Sequence, residues 1–415
     1  MPIRPILTTP EPHSALATLL QGPAVAACLA ELAATRATEP VAIATSLRKR
    51  HAPEVVAATM TLAELRSRAA AKFTDPDRLL LTRAGYEQAS SEVIARWRAR
   101  RFAGCESVAD LCCGIGGDLM ALASLPGLTR LLAVDLDPDH LAMALANARS
   151  AEPDAPLAAV LDDVRAVDLA GIDGVFIDPA RRDAGGRFTP GETEPPLDWC
   201  LALSDRVPKV GIKLAPGIDH TAVPAGWELE TIAIDTDLKE AVLWSPALVT
   251  APRRASVIHD GEVSSIAGDG DDLEHASPES TPRLAMPEAG MWLHDPNPAI
   301  TRAGLVQALA ATIDARPIDR QIAFLVSGRP AGSPFARSRR IVASLPWDEK
   351  ALRSELAALE VGAIDIRRRG LAGDVDAIAR RLRKRLPKGA TRSCWIAMTR
   401  VDDRPWAIVC TDDPE

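Results

Sequence analysis

The sequence predicts an α/β protein built on a doubly wound parallel sheet, with a helical region before it and an α+β region after it. Two observations carry that expectation. From Glu106 onward short apolar runs alternate with helical segments, and one of those runs leads directly into a glycine-rich turn. Strands separated by helices need crossover connections, which implies a parallel sheet covered on both faces.

The strand candidates are Ser107 to Leu111, Arg130 to Asp135, Ala158 to Leu161, Gly174 to Ile177 and Val210 to Leu214, with Pro138 to Ala148 the clearest helix between them. Leu229 to Ile234 and Ala241 to Ser245 read as a closing pair of strands. Before this core, residues 1–100 are rich in Ala, Leu, Arg and Glu, and Leu62, Leu65 and Ala69 recur at helical spacing. They are expected to form a helical domain, followed by the sheet domain at 101–259. Residues 260–290 are polar, with much Gly, Ser, Pro and acid, and read as a linker or long loop. A third unit spans 291–415, with a helix expected from Ala299 to Ala311, strands at Gln321 to Val326 and Trp395 to Thr399, and a basic helix from Val375 to Leu386.

Composition narrows the class. A chain of 415 residues exceeds one usual core, so two or three domains are expected. Its 47% hydrophobic and 25% charged residues are those of a folded globular chain. Charges interrupt every apolar run before it reaches bilayer length, and the first residues lack a secretory pattern, so no membrane partner and a cytoplasmic location are expected. Seven cysteines without a C-x-x-C pair and seven scattered histidines suggest neither a disulfide framework nor a metal site. The net charge of −8 conceals an asymmetry, because eight Arg and two Lys between Arg367 and Arg392 face only Asp374 and Asp376.

The chemistry concentrates in Val108-Ala-Asp-Leu-Cys-Cys-Gly-Ile-Gly-Gly-Asp118. A strand running into Gly114, Gly116 and Gly117 exposes backbone N–H groups to a ligand, and glycine is needed where a Cβ would block its approach. Leu119 stands where a dinucleotide fingerprint wants a third glycine, and no Gly-Lys-Ser/Thr follows to make a phosphate loop of the Walker type. What remains is an acidic motif with Asp110 near the strand end. Asp135 ends the next strand, twenty-one residues after Gly114, where a carboxylate suits both hydroxyls of a ribose. Asp163 follows the third strand and suits an adenine amino group. Three acids after successive strands line one sheet edge, the place where open α/β folds bind ligands.

With Phe176-Ile-Asp-Pro-Ala-Arg-Arg182 added, residues 82–250 resemble a class I S-adenosylmethionine-dependent methyltransferase with a Rossmann-like sheet. The resemblance implies that Asp110 and the backbone from Cys112 through Gly114 to Gly116 hold the methionine part of S-adenosylmethionine. It gives Asp135 the ribose and Asp163, beside Asp162, the adenine. Asp178 and Pro179 would face the transferring methyl, and Arg181 or Arg182 would grip the acceptor. Gln88 and Ser90, in a segment resembling the one before the first motif of nucleic-acid methyltransferases, would contact the cofactor. Lys213, unusual in a strand interior, would reach the strand edge and meet an acidic group of cofactor or substrate.

The Cys-Gly-Ile-Gly-Gly loop and the Asp-Leu-Asp-Pro strand end are most similar to RNA guanine-N2 methyltransferases of the cap-hypermethylating type. Ala180 and Arg181 stand where amine-directed base methyltransferases carry Pro and an aromatic residue. From Leu293-His-Asp-Pro-Asn-Pro-Ala-Ile-Thr-Arg-Ala-Gly304 to the strands near Trp395 and Trp406, the chain resembles a THUMP-like domain, which implies RNA, tRNA or rRNA, as partner. Arg380, Arg381, Arg383 and Arg385 on the basic helix would neutralise its phosphates. The expected activity is methyl transfer to a nucleobase nitrogen, with guanine N2 favoured. Methylation of a protein or small molecule would leave the basic helix without a ligand. A non-catalytic RNA-binding protein would not need Asp110, Asp135 and Asp178 intact. The oligomeric state is not encoded in any of these features.

Overall fold

The computed structural model describes residues 14–35, 39–180, 193–270, 283–387 and 389–411. They divide between two compact units, one within Met1–Glu228 and Glu240–Thr250, the other within Leu229–Lys239 and Ala251–Glu415.

The first unit begins with α1 (Ala15–Gln21), α2 (Pro23–Ala33), α3 (Pro40–Leu47) and α4 (Pro53–Ala69). Pro53 occupies the first turn of α4, where a missing N–H costs nothing, and Glu54 and the pair Arg66 and Arg68 sit at the dipole ends that favour them. Leu62, Leu65 and Ala69 are buried along one face, as their spacing requires. The apolar cluster these helices form continues through Leu79, Leu80 and Leu81 to Ile115 and Met143. The helical region therefore shares its core with the sheet-bearing part of the unit.

Next come α5 (Arg83–Gln88), α6 (Glu92–Ala99), β1 (Ser107–Leu111), α7 (Gly117–Ala123), β2 (Arg130–Asp135), α8 (Pro138–Ala151), β3 (Leu157–Leu161), β4 (Gly174–Ile177), α9 (Leu197–Ala202) and β5 (Lys209–Leu214). After β6 (Glu228–Ile234), β7 (Asp237–Trp244) returns to this unit. The strand order β3-β2-β1-β4-β5-β7 places the three acid-bearing strand ends side by side. β1 to β5 pair in parallel and β7 joins β5 antiparallel. β1 is buried along its whole length, as a strand with a neighbour on each side and helices on both faces must be. Asp137 caps α8 by accepting from the amides of Asp139 and His140, with Pro138 in the first turn. Asn147, 1% exposed, accepts from the Leu80 amide at 2.7 Å and donates to the carbonyls of Leu80 and Ile115.

In the second unit β6 pairs in parallel with β8 (Arg253–His259), and β8 pairs antiparallel with β9 (Glu262–Gly268). The expected linker at 260–290 thus begins as a strand, because a tight turn at Asp260 and Gly261, both at positive φ, lets polar residues pair with the edge of β8. Residues 271–282 of that stretch lie outside the described residues.

A second sheet follows. It contains β10 (Trp292–Pro296), β11 (Arg316–Pro317), β12 (Leu325–Ser327), β13 (Ala336–Pro346), β14 (Val361–Arg368), β15 (Arg392–Val401) and β16 (Arg404–Thr411), in the order β11-β12-β10-β13-β16-β15-β14. The single helix expected from Ala299 to Ala311 is two, α10 (Pro298–Ala303) and α11 (Val306–Thr312). Gly304, left-handed at φ 70°, ends the first by a capping turn. The helices α12 (Glu349–Ala358) and α13 (Val375–Arg383) bury Leu352, Leu356, Ile378 and Leu382 in a core shared with β14, β15 and β16.

Candidate active site

The site grows from the turn after β1. Cys112, Gly114 and Gly116 all take positive φ, 60°, 55° and 87°, so the chain reverses within five residues before α7. A Cβ on Gly116 would lie 2.8 Å from the Ala144 Cα of α8, so only glycine lets the turn pack there. At Gly114 no atom of the described residues beyond its chain neighbours lies within 4 Å of a Cβ placed there, which leaves that side of the turn open for an approaching ligand. The Gly114 amide donates to Asp135 Oδ2 at 2.8 Å, and Asp137 donates to Oδ1 at 2.9 Å. Each oxygen keeps lone-pair capacity for a further donor.

Asp110 is 1% exposed, and among the described residues neither of its carboxylate oxygens has a hydrogen-bond partner. Burial pushes its carboxyl well above the usual range, Asp118 and Asp178 push it further, and Arg98 offsets this only in part. Burial also pushes the Cys112 and Cys113 thiols well up, which keeps them neutral and unsuited to nucleophilic attack.

Beneath the turn lies a buried ionic network. Arg98 of α6 pairs with Asp118 and with Glu240 of β7, donates to Ser90 Oγ at 2.7 Å and stands 4.9 Å from the centre of the Phe176 ring. Lys213 of β5 reaches Asp178 Oδ2 at 2.5 Å and Ser90 Oγ at 3.0 Å. Burial alone would lower the Lys213 pKa, but Asp178 and Glu240 outweigh it and raise it. Lys213 therefore meets an acid of the protein itself, because a buried ammonium needs a counter-charge that is present before any ligand arrives. Asp178 keeps its other oxygen, Oδ1, outside this ion pair.

The other expected site residues divide. Ser90 is part of the buried network, whereas Gln88, at the last position of α5, is exposed. Pro179 and Ala180 follow Asp178, and Ala180 bridges to Glu194. Arg181 and Arg182 lie outside the described residues. Asp163 is held through both oxygens by Arg165, which also pairs with Glu194 at 2.7 Å, and those hydrogen bonds keep the Asp163 carboxyl below the usual range. On α13, which ends at Arg383 rather than at the expected Leu386, Arg381 is paired with Glu349 and Arg383 donates to the Ile364 carbonyl, while Arg380 on the helix and Arg385 in the turn after it are exposed.

Arg98 and Glu240 were not expected. Arg98 did leave a signal, since it stands in the stripe Ile94, Ala95, Arg98, Ala99, where an otherwise apolar helix face carries one cation. Glu240 left none, because its partner is 142 residues away in sequence.

An open parallel sheet with a glycine bend and acids along its carboxyl edge, joined to a buried ion network, defines a nucleotide-cofactor enzyme of the doubly wound class. Comparison with known proteins sharpens this. Two proteins of Mycobacterium tuberculosis, from strains CDC 1551 / Oshkosh and ATCC 25618 / H37Rv, are each named an uncharacterized S-adenosylmethionine-dependent methyltransferase. Both are 37% identical to this chain over 364 residues, covering 84% of it and 93% of their own length. A crystal structure from Porphyromonas gingivalis W83, assigned as a methyltransferase, matches the fold with a TM-score of 0.69 at 18% identity, over 94% of this chain and 98% of that one. The THUMP domain-like family matches residues 336–412, and a domain family of unknown function matches residues 12–69.

The chain belongs to the S-adenosylmethionine-dependent methyltransferase family. It is an enzyme that uses S-adenosylmethionine, which supplies a methyl group already activated on a sulfonium. The residues present fit that cofactor, since Asp110 offers a buried carboxyl group that no donor among the described residues reaches, beside an open glycine turn. Among the described residues no single helix is long and apolar enough to cross a membrane, and no group of three His, Cys, Asp or Glu side chains is placed to hold a metal ion.

Proposed function

We propose that the protein methylates a nucleobase nitrogen, guanine N2 first among them, in structured RNA such as tRNA or rRNA in the cytoplasm. The observation that carries this reading is the THUMP-like stretch 336–412, in which Arg380 of α13 and Arg385 just beyond it are exposed. THUMP modules bind RNA, and guanidinium groups on an open helix face suit a phosphate backbone. The reading divides the chain into a helical region at 1–100, a methyltransferase domain at 101–259, the stretch 260–290 and a THUMP-like domain at 291–415.

In this reading Asp110 and the Cys112, Gly114 and Gly116 backbone hold the methionine end, and Asp135 takes the ribose. Leu136, 67% exposed next to it, covers the adenine, which Asp163 or its neighbour Asp162 recognises. Gln88 completes the cofactor contacts. Asp178, with Oδ2 held by Lys213, accepts an N–H of the acceptor amine on Oδ1 and aims its lone pair along the S–CH₃ axis. Pro179 stiffens that turn, and Arg181 and Arg182 grip the nucleotide. The test is mass spectrometry of nucleosides from a strain lacking the gene. Loss of one methylated base, restored by the wild-type gene and not by Asp178→Ala, supports the reading; an unchanged RNA nucleoside profile sinks it.

A further inference from the structure

We propose that Asp110 carries a proton in the free protein and releases it when the α-ammonium group of S-adenosylmethionine binds, so that cofactor capture and proton release are one event. The inference rests on the placement of the methionine end at Asp110 and not on the nature of the acceptor.

The geometry makes an ionised Asp110 untenable without a ligand. The residue sits in β1 with β2 and β4 paired on either side and is 1% exposed, so water does not solvate it. Among the described residues no N–H or O–H reaches either oxygen. The groups that face it are Asp118 of α7, Asp178 after β4, Asp135 after β2 and Arg98 of α6, with Cys112 and Cys113 next along its own chain. Three of these are carboxylates and two are neutral thiols. The one cation among the described residues that face it, Arg98, is already shared among Asp118, Glu240 and Ser90. Lys213, the other buried cation of the network, is committed to Asp178 and Ser90. A negative charge added among like charges in a medium of low dielectric is neutralised most readily by a proton, and burial itself drives the acid the same way.

A ligand ammonium reverses that balance. It brings three N–H donors and a full positive charge to a carboxyl that has neither, so the ion pair replaces the O–H bond. The proton leaves for the solvent, Asp110 becomes a carboxylate, and no electron changes hands. Binding should therefore strengthen about tenfold per pH unit while Asp110 is protonated in the free protein and ionised in the complex, and level off above its titration.

The test is titration calorimetry on the full chain with S-adenosylmethionine in buffers of different ionisation enthalpy, from about pH 6 to about pH 7.5. The dependence of the observed heat on buffer enthalpy should report net proton release. S-adenosylhomocysteine keeps the α-ammonium and should release the same. 5′-Methylthioadenosine lacks the methionine end and should bind with no release. Asp110→Asn should weaken S-adenosylmethionine binding and abolish both proton release and the pH dependence. If that variant does not fold, the contrast between the ligands on the wild-type protein still decides. No release with S-adenosylmethionine overturns the stored proton, whereas equal release with 5′-methylthioadenosine overturns the placement of the methionine end at Asp110.

Discussion

Replacing Arg98 by methionine keeps most of the side-chain stem and removes its charge, which isolates the contribution of the ion network. Arg98 is 1% exposed and is shared by Asp118, 10% exposed, and Glu240, 4% exposed, so its loss strands two buried carboxylates together. Breaking a buried ion pair from one side costs about 3–5 kcal/mol. Here Lys213 remains to attract Glu240, which argues for the middle of that range, about 4 kcal/mol. Urea is the denaturant of choice, since guanidinium salt would screen the effect under test. With a slope of roughly 2–2.5 kcal/mol/M, the midpoint for the first unit should fall by about 1.5–2 M. The pH dependence follows from the same charges. Burial already raises the Glu240 carboxyl, and without Arg98 it rises further, so the folded variant takes up a proton before the unfolded chain does. The deficit should be greatest at neutral pH and shrink on acidification. A loss below about 1 kcal/mol at pH 7, or one that grows as the pH falls, would refute the reasoning.

Three further outcomes are expected. Asp135→Ala should raise the dissociation constant for S-adenosylmethionine at least about a hundredfold by calorimetry with an unchanged circular dichroism spectrum, because a carboxylate loses two charge-assisted contacts; unaltered affinity would remove the ribose assignment. Arg380→Gln with Arg385→Gln should reduce the slope of log affinity for tRNA against log salt by about 1.5, whereas Arg381→Gln should change it little because Arg381 is paired with Glu349. His294 is fully buried between the Ser338 and Ser327 hydroxyls, and burial lowers its pKa to about 4. Its unfolded value lies near 6.5, so the unfolded chain binds the proton first and the second unit should lose roughly 3 kcal/mol as the pH falls from 6.5 to 4. A stability profile over that range that His294→Gln leaves unchanged would count against this.

The local rules of strand formation made the sheet readable in the sequence. β1, β2 and β4 have the bounds their apolar runs indicate, since a strand buried on both faces has no other pattern to follow. The polar β9 was hidden for the opposite reason, because an edge strand with alternating exposure has the composition of a loop. The broken helix at Gly304 shows how one capping glycine overrides a continuous apolar period. The glycine turn was legible because it is contiguous in sequence, and Asp135 and Asp163 because each stands at or just after the end of a readable strand. The ion network was not, since Arg98 meets Asp118 and Glu240 only after distant elements assemble.

Asn147 ties the first hundred residues to the chemistry. Its side-chain amide spends its acceptor and both donor bonds on the segment at Leu80 and on Ile115 in the glycine bend. A gene trimmed to begin at residue 101 would leave the oxygen of that amide and one of its N–H bonds with nothing to hold, in a place water does not reach, and would uncover the greasy underside of α8 around Met143. Shortened versions made for crystallisation or screening should therefore keep the leading helices, which serve the catalytic half as its foundation.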